Sequence, residues 1–327
     1  MKIRLKSKQA LIKDKFQCIS VNVAKGGMNP PISYYGGKQR MAHNIIPLLP
    51  KHTVYVEPFC GGATILFKKP WPAMTNTHHY REVINDHDER LTNFFRVLRG
   101  DGEALCAKLQ GTLYSRPEYN EAKRFLAGPK SYSNLDWAWA YYVKSQTSFS
   151  NVLDGGWRTG TFGRNLAVTW MNKVARLPDY VARMAGVHIE CLPALDVIKK
   201  WDSPQTLFYC DPPYPGFAQG HYSGYSHDDL KDLIAVLDNA KGSFILSNYK
   251  QEYIPKHWEH FTFEAHSSSM PGKDLHKHDI RRVEHIWRVD RSHTARTEIQ
   301  KLFASGKFDC FKGEIPFQLK KVKVHVI

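Results

Sequence analysis

The order of hydrophobic and polar positions along the chain predicts an α/β fold. Short apolar runs bounded by turn residues predict buried strands at residues 53–56, 82–85, 187–190, 207–210, 243–246, 260–263 and 283–288. Apolar residues at helical spacing follow some of these runs, as in the stripe of Leu91, Phe94, Phe95 and Leu98. Strands that alternate with helices in this way are typical of an α/β sheet.

The middle of the chain has a different pattern, which predicts helices and a polar loop. Ser115 to Glu118 has the spacing of a capping box, and Gly128 followed by Pro129 ends the helix that this box begins. A further helix is predicted from Leu135 to Lys144, and the glycine-rich polar stretch at 147–170 is predicted to be a functional loop or hairpin. We therefore expect a mainly helical insertion at 103–175 between two halves of one sheet, 29–102 and 176–290, with basic extensions at 1–28 and 291–327.

Lysine and arginine outnumber aspartate and glutamate by 46 to 31, which gives the chain of 327 residues a formal net charge of +15. An excess of this size favours a polyanionic partner, and nucleic acid is the leading candidate because Lys and Arg bind phosphates and release counterions. The same excess also fits a protein whose charge serves solubility alone. Charge therefore indicates a nucleic-acid partner only together with other features.

The cysteines and histidines predict neither a disulfide framework nor a metal site. All six cysteines stand singly, without a CxxC pair, as expected for reduced thiols. The two histidine clusters, at 78–79 and 276–278, lack further ligands at helical or hairpin spacing. The sequence has no apolar run long enough to cross a bilayer and no signal-peptide core near its start, so we expect a cytoplasmic protein.

The strongest chemical motif is Asp211-Pro212-Pro213-Tyr214, which directly follows the predicted strand at 207–210. Open α/β sheets bind ligands at the carboxyl ends of their strands, and a simple Asp-Pro turn is the alternative interpretation. An exocyclic amine on adenine is a poor nucleophile because the ring withdraws its lone pair. Asp211 and the carbonyl of Pro212 can each accept a hydrogen bond from such an amine, the prolines make the turn rigid, and Tyr214 offers a flat face for an extruded base.

This motif predicts methyl transfer to an amine. Transfer of a sulfonium methyl is a direct displacement, which depends on positioning and electrostatics and needs neither a metal nor a covalent enzyme intermediate. We expect Asp211 to orient the amine as a hydrogen-bond acceptor. Whether Asp211 also takes the proton is left open.

A second motif, at residues 57–62, predicts a turn between a strand and a helix. Its glycines, Gly61 and Gly62, let a ligand approach the backbone, and Asp86 at the end of the next predicted strand can bind ribose hydroxyls. Asp88 is the competitor for that role, and both aspartates can also be solvated turn residues. Because the glycines do not follow GxGxxG, a nucleoside without pyrophosphate fits better, and a dinucleotide-dependent oxidoreductase is set aside.

Four motifs, in one order along the chain, resemble those of the Dam-type DNA adenine methyltransferases with the alpha arrangement. They are Pro31-Ile32-Ser33-Tyr34-Tyr35-Gly36-Gly37-Lys38, Val56-Glu57-Pro58-Phe59-Cys60-Gly61-Gly62, Asn85-Asp86 and Asp211-Pro212-Pro213-Tyr214. The resemblance covers about residues 30–290. It implies a Rossmann-like sheet, S-adenosylmethionine as methyl donor, flipping of the target adenine for N6 methylation, and a target-recognition domain on the insertion.

The same resemblance implies which residues bind the donor. Cofactor contacts are expected from Tyr34, Tyr35, Gly36, Gly37, Lys38, Glu57, Pro58, Phe59, Gly61, Gly62, Asp86, Asp196 and Asp211. Asp196 rests on a looser match, and an aspartate that begins a short helix is the alternative.

The recognition segment departs from the family pattern, where a longer basic hairpin follows the helix. Our candidates for contacts with DNA, or for filling the gap left by a flipped base, are Asn151, Trp157, Arg158 and Arg164. Solvated loop residues are the alternative interpretation of this set.

Other functions stay open at the level of sequence. The same amine chemistry suits N4 of cytosine and adenine in RNA, and a nucleic-acid-binding protein with a silent site is a third interpretation. A silent site is expected to lack Asp211, Tyr214 or the glycine turn, and all are intact. We expect double-stranded DNA as the partner and a monomer, with a dimer as the alternative. The resemblance favours a place in DNA methylation by a restriction-modification system or by a phage or prophage, in the cytoplasm of a bacterial or phage-infected cell.

Overall fold

The computed structural model of the protein describes residues 27–34, 36–71, 80–128, 133–149, 153, 155–160, 163–215, 224–265 and 282–292. Seven strands form one mixed sheet in these ranges, in the order β3-β2-β1-β4-β5-β7-β6. The strands are β1 Val54–Glu57, β2 Arg81–Asn85, β3 Val187–Glu190, β4 Thr206–Cys210, β5 Ser243–Asn248, β6 Glu259–Ala265 and β7 Arg282–Val289. All seven predicted strands are confirmed within a residue or two.

The directions of the strands indicate at which edge of the sheet a ligand is expected to bind. β1 to β5 are parallel, whereas β7 pairs in antiparallel fashion with both β5 and β6. The chain runs outward from β1 to β3 and then returns to the other side of β1 at β4, so the strand order reverses between β1 and β4. Ligands of open α/β sheets bind at such a switch point, outside the carboxyl ends of the strands.

Helices connect and cover the strands. They are α1 Ala42–Ile45, α2 Thr64–Lys68, α3 Glu89–Gly100, α4 Gly102–Gln110, α5 Arg116–Ala127, α6 Asn134–Thr147, α7 Leu166–Ala175, α8 Leu177–Met184, α9 Ala194–Trp201 and α10 His227–Asp238. The side chain of Ser115 accepts a hydrogen bond from the backbone N–H of Glu118, as the predicted capping motif requires. Ser226 and Asp229 form a complete capping box at the start of α10.

The predicted loop at 147–170 is wrong at both ends, because helices occupy them. α6 continues to Thr147, and α7 already begins at Leu166. Asn165 caps α7 by accepting from the backbone N–H groups of Ala167 and Val168. Trp170 is buried and donates to the carbonyl of Thr112, so packing extends helical structure into a stretch whose composition is polar.

The sheet buries apolar side chains on both faces. Neighbouring residues of one strand point to opposite faces, and Ile245 and Leu246 accordingly belong to different hydrophobic clusters. The cluster that contains Ile245 continues through the predicted insertion, where it includes Leu105, Ala122 and Tyr142. The helices at 103–175 therefore share a core with the sheet, and the predicted domain limits stay a prediction. No helix within the described ranges is long and apolar enough to cross a lipid bilayer.

Candidate active site

Three carboxyl groups meet at the switch point of the sheet. Glu57 ends β1, Asp86 follows β2 and Asp211 follows β4. Because β1 pairs in parallel with both β2 and β4, the three carboxyl ends lie side by side at one edge. The sequence motifs thus occupy the place where this fold binds ligands.

Asp211 and Tyr214 belong to a cluster centred on the ammonium group of Lys38. Lys38 Nζ donates to Asp211 Oδ1 at 2.7 Å and to the hydroxyl of Tyr214 at 2.9 Å. The Tyr214 hydroxyl lies 2.9 Å from Ser247 Oγ and donates to Glu284 Oε1 at 2.5 Å. Lys38 Nζ is also 3.4 Å from Glu284 Oε1. One cation is therefore shared by two carboxylates, with two hydroxyl groups between them.

Burial and mutual charge decide the protonation of this cluster. Burial alone lowers the pKa of Lys38, but Asp211 and Glu284 outweigh it and hold that pKa above its ordinary value. Burial raises the pKa of Asp211. Lys38 lowers that pKa and Glu284 raises it, and the resulting pKa lies above its usual range. Burial also opposes the charge of Glu284, yet Lys38, Ser247 and Tyr214 hold its pKa below the ordinary value. At neutral pH Lys38 is therefore charged, and Glu284 is ionised.

Tyr214 contributes its hydroxyl to the cluster and its ring to an aromatic pair. The ring lies edge-on to that of Tyr249, with centroids 4.6 Å apart. Stacking of Tyr214 against an extruded base stays a prediction. Tyr249, which directly follows β5, adds a second aromatic ring at the same place.

The glycine turn after β1 is as tight as its sequence indicates. Gly61 has a φ of +46°, and a Cβ at this position would come within 2.8 Å of the Tyr34 ring. A Cβ on Gly62 would meet Tyr34 Cβ at 3.1 Å. Tyr34 thus packs directly on the turn, because two successive residues lack side chains. This contact joins the first and second sequence motifs.

Asp86 and Asp88, which competed for one role in the sequence, have different surroundings. Asp86 is buried, and its carboxylate accepts from the backbone N–H of Gly61 and of Asp88, both at 3.0 Å. Burial raises the pKa of Asp86 to about 6. Asp88 instead caps α3 by accepting from the Arg90 N–H at 2.9 Å. The carboxylate attached to the glycine turn is therefore Asp86, and Asp88 begins a helix.

Glu57 lies beneath the same turn. Its Oε1 accepts from the Tyr55 hydroxyl and from the backbone N–H of Leu66, both at 2.7 Å. Burial raises the pKa of Glu57 to about 7, although both hydrogen bonds oppose that change. Glu57 therefore fixes α2 against β1 and carries only part of a charge at neutral pH.

The remaining cofactor candidates differ in their contacts and in their exposure to solvent. The carbonyl of Pro58 accepts from Asn85 Nδ2 at 2.9 Å, and the Phe59 ring lies edge-on to Tyr225. Gly36 and Gly37 are exposed beside Lys38, and Asp196 is exposed in the first turn of α9. Tyr35 lies outside the described residues. Cofactor contacts by all of these residues stay predictions.

Three of the four DNA-contact candidates lie within the described residues, and their surroundings differ. The Trp157 ring lies tilted against the Tyr114 ring, with centroids 4.7 Å apart, and the Trp157 backbone pairs with that of Ser148. Arg158 Nη2 donates to the carbonyl of Gln146 at 3.0 Å, so this guanidinium holds the end of α6. Arg164 is exposed, and Asn151 lies outside the described residues. Arg164 is therefore the described candidate that is most accessible to a partner.

Sequence reasoning missed Ser247 and Glu284 as members of the cluster. Ser247 directly follows the predicted strand at 243–246 and Glu284 stands in the predicted strand at 283–288, but neither residue was named as a candidate site residue. The available signal was a polar residue inside an apolar run, since Ser247 follows Phe244-Ile245-Leu246 and Glu284 precedes His285-Ile286-Trp287. A buried polar group in a strand needs a partner, which indicates a site.

Among the described residues no group of three or more His, Cys, Asp or Glu side chains can hold a metal ion. The four cysteines in those ranges, Cys60, Cys106, Cys191 and Cys210, are free thiols.

Comparison with known protein families identifies the family of this chain. Residues 34–269 match the model of the D12 class N6 adenine-specific DNA methyltransferase family. The chain belongs to this family. The matched range begins at Tyr34 and includes the glycine turn, Asp86 and Asp211, as the resemblance of the motifs predicted.

Two known proteins are similar in sequence to this D12-class chain. A DNA N-6-adenine-methyltransferase of Escherichia phage P1 is 26% identical over 231 residues, and modification methylase StsI of Streptococcus sanguinis is 23% identical over 222 residues. The aligned segments cover 63% and 64% of this chain but 27% and 32% of those relatives. The chain thus matches less than a third of the length of either protein.

Proposed function

We propose that this D12-class protein transfers a methyl group from S-adenosylmethionine to N6 of a flipped adenine in double-stranded DNA. The observation that carries the proposal is the buried cluster of Lys38, Asp211 and Tyr214 beside the glycine turn, at the switch point of the sheet. Family membership and the name of the phage P1 relative support adenine as the target.

Asp211 is proposed to accept a hydrogen bond from the adenine amine. Lys38 holds Oδ1 of Asp211 at 2.7 Å, which fixes the orientation of the carboxylate. The rigid Pro212-Pro213 turn keeps the carbonyl of Pro212 next to it as a second acceptor. Two acceptors on one amine localise its lone pair, and the amine nitrogen becomes a better nucleophile. The Tyr214 and Tyr249 rings supply apolar surface against which a base can stack.

The residues at the edge fit S-adenosylmethionine in chemistry. The bound donor supplies an electrophilic methyl group on a sulfonium cation. Gly61 and Gly62 leave the turn without side chains, and Gly36, with a φ of +74°, has no atom within 4 Å of the place where a Cβ would be. Asp86 is proposed to accept from ribose hydroxyls, since each carboxylate oxygen has a lone pair beyond the backbone bond that it accepts.

The helices at 103–175 are proposed to carry the recognition of DNA. Arg164 is exposed there and can contact a phosphate or a base edge, and the net charge of +15 favours a nucleic acid. Arg158 is proposed to act indirectly, because its guanidinium already binds the end of α6. We further propose that the protein acts as a monomer in the cytoplasm of a bacterial or phage-infected cell.

The test is methylation of unmethylated DNA and of RNA of matched sequence by the purified protein with S-adenosylmethionine. Digestion to nucleosides and mass spectrometry then identify the modified base. N6-methyladenine from DNA supports the proposal. N4-methylcytosine, or methyladenine from RNA alone, would contradict the proposed target, and the absence of any product would contradict the activity.

A further inference from the structure

Glu284 reaches the cluster of Lys38, Asp211 and Tyr214 from β7. Its Oε1 accepts from the hydroxyls of Tyr214 and Ser247 and lies 3.4 Å from Lys38 Nζ. Lys38 and Tyr214 are the two groups that contact Asp211 Oδ1. A single carboxylate thus holds both partners of Asp211.

The cluster carries more negative than positive charge. Lys38 supplies one positive charge, and Asp211 and Glu284 supply two negative charges when ionised, which leaves a net charge of −1. The three side chains are only 8%, 19% and 13% exposed, respectively. The other titratable groups that face Asp211 are Tyr209, Cys210 and Tyr214, which burial keeps neutral by raising the pKa of each. A buried net charge is costly unless an opposite charge joins it.

We propose that Glu284 is a positioning residue for methyl transfer, which holds Lys38 and Tyr214 against Asp211 and supplies the excess negative charge that stabilises a cationic amine. This inference rests on the proposed function. Ser247 supports the same arrangement from β5, because its hydroxyl bonds to both Glu284 and Tyr214.

The excess negative charge acts on the methyl-transfer step, in which positive charge moves from sulfur to N6. The lone pair of N6 forms the new bond to the methyl carbon, and the bond from that carbon to sulfur breaks with its electrons left on sulfur. The positive charge passes to N6, and N6 then loses one proton to Asp211, its nearest acceptor in this scheme. In the proposed function the cluster contacts the amine rather than the sulfur, so its negative charge favours the transition state over the ground state.

Glu284→Gln tests the charge while keeping an oxygen that accepts from Tyr214, Ser247 and Lys38. We expect kcat to fall about 10- to 100-fold, with little change in the KM for S-adenosylmethionine. The acid limb of the pH profile is expected to move to lower pH, because Asp211 no longer faces a second carboxylate and its pKa falls. Glu259→Gln is the matched control, since Glu259 lies on the neighbouring strand β6 with a side chain 57% exposed.

A carboxyl titration of the protein without donor or DNA decides the inference independently of turnover. ¹³C NMR of Asp211 in wild type and Glu284→Gln is expected to give a lower pKa in the variant, which retains its fold. An unchanged pKa, or a wild-type kcat and pH profile in Glu284→Gln, would overturn the inference. A wild-type protein that methylates nothing would instead refute the proposed function, and the titration would still report on Glu284.

Discussion

Asp86 combines a structural contact with a charge that depends on pH. Its carboxylate accepts from the backbone N–H groups of Gly61 and Asp88, and burial raises its pKa to about 6. A raised carboxyl pKa means that the folded protein holds this proton at pH values where the unfolded chain has lost it. The contribution of Asp86 to stability therefore decreases as pH rises from about 4 to about 6. Above that window the ionised carboxylate is the better acceptor for ribose hydroxyls.

Asp86→Asn should weaken the binding of S-adenosylmethionine about 10- to 100-fold at pH 8, because hydrogen bonds to a charged acceptor are lost. Wild-type affinity should also decrease as pH falls through about 6, and the variant should lack that inflection. Glu57, with a pKa raised by burial to about 7, adds an inflection that both proteins share. Calorimetric titration from pH 5 to pH 8 measures the affinity of both proteins for S-adenosylmethionine. Parallel curves of affinity against pH for the two proteins would refute the ribose assignment.

At the scale of elements, the β1–α2 junction depends on a close contact between two motifs. Gly36 and Gly61 both have positive φ, but only Gly61 faces another residue, the ring of Tyr34. A side chain at either position raises the conformational energy of the left-handed backbone, and a side chain at Gly61 also displaces Tyr34. The two glycines thus form a matched pair that separates backbone strain from packing.

We expect Gly61→Ala to lower the free energy of unfolding by about 2–4 kcal/mol and Gly36→Ala by about 1–2 kcal/mol. Only Gly61→Ala should alter the environment of Tyr34. Urea denaturation measures the two losses. Equal losses in the two variants would show that the contact between Tyr34 and the turn adds nothing.

The elements also show which parts of the structure the sequence predicts. Every strand in the described ranges was predictable, because short apolar or alternating runs bounded by turn residues are typical of strands. The start of α7 was not, since the burial of Trp170 against Thr112 depends on contacts between distant residues. The position of Lys38 in the cluster, and the membership of Ser247 and Glu284, depend on chain segments 173, 33 and 70 positions apart. Local patterns identified the motifs but could not reveal these long-range contacts.

At the scale of the whole molecule, a buried ion network ties the sheet to its helices. Glu82 on β2 receives two hydrogen bonds from Arg183 on α8, at 2.6 and 2.9 Å, and one from Lys69. Arg183 also donates to the carbonyl of Leu66 on α2. Burial alone raises the pKa of Glu82, but Lys69 and Arg183 outweigh it and hold that pKa below its ordinary value. Stability from Glu82 is therefore present above the ordinary carboxyl pKa and is lost as pH falls below it.

Glu82→Gln should destabilise the protein by about 3–5 kcal/mol at neutral pH, because two buried cations lose their counter-charge. Its unfolding free energy should also depend less on pH in the acid range. Glu190→Gln, which breaks the Glu190–Lys200 pair near the surface, is the control and should cost about 0–1 kcal/mol. Chemical denaturation at several pH values makes the comparison, and similar small losses in both variants would contradict the role of the network.

The rate of methyl transfer to DNA in wild type and Asp211→Ala, measured in a single turnover with bound S-adenosylmethionine, tests the role of the cluster most directly. Asp211→Ala should lower the rate about 100-fold or more while donor affinity stays nearly unchanged. Asp228→Ala, at a side chain 86% exposed, should behave as wild type. An Asp211→Ala protein that methylates DNA at a rate close to wild type would contradict the claim that this cluster activates the amine.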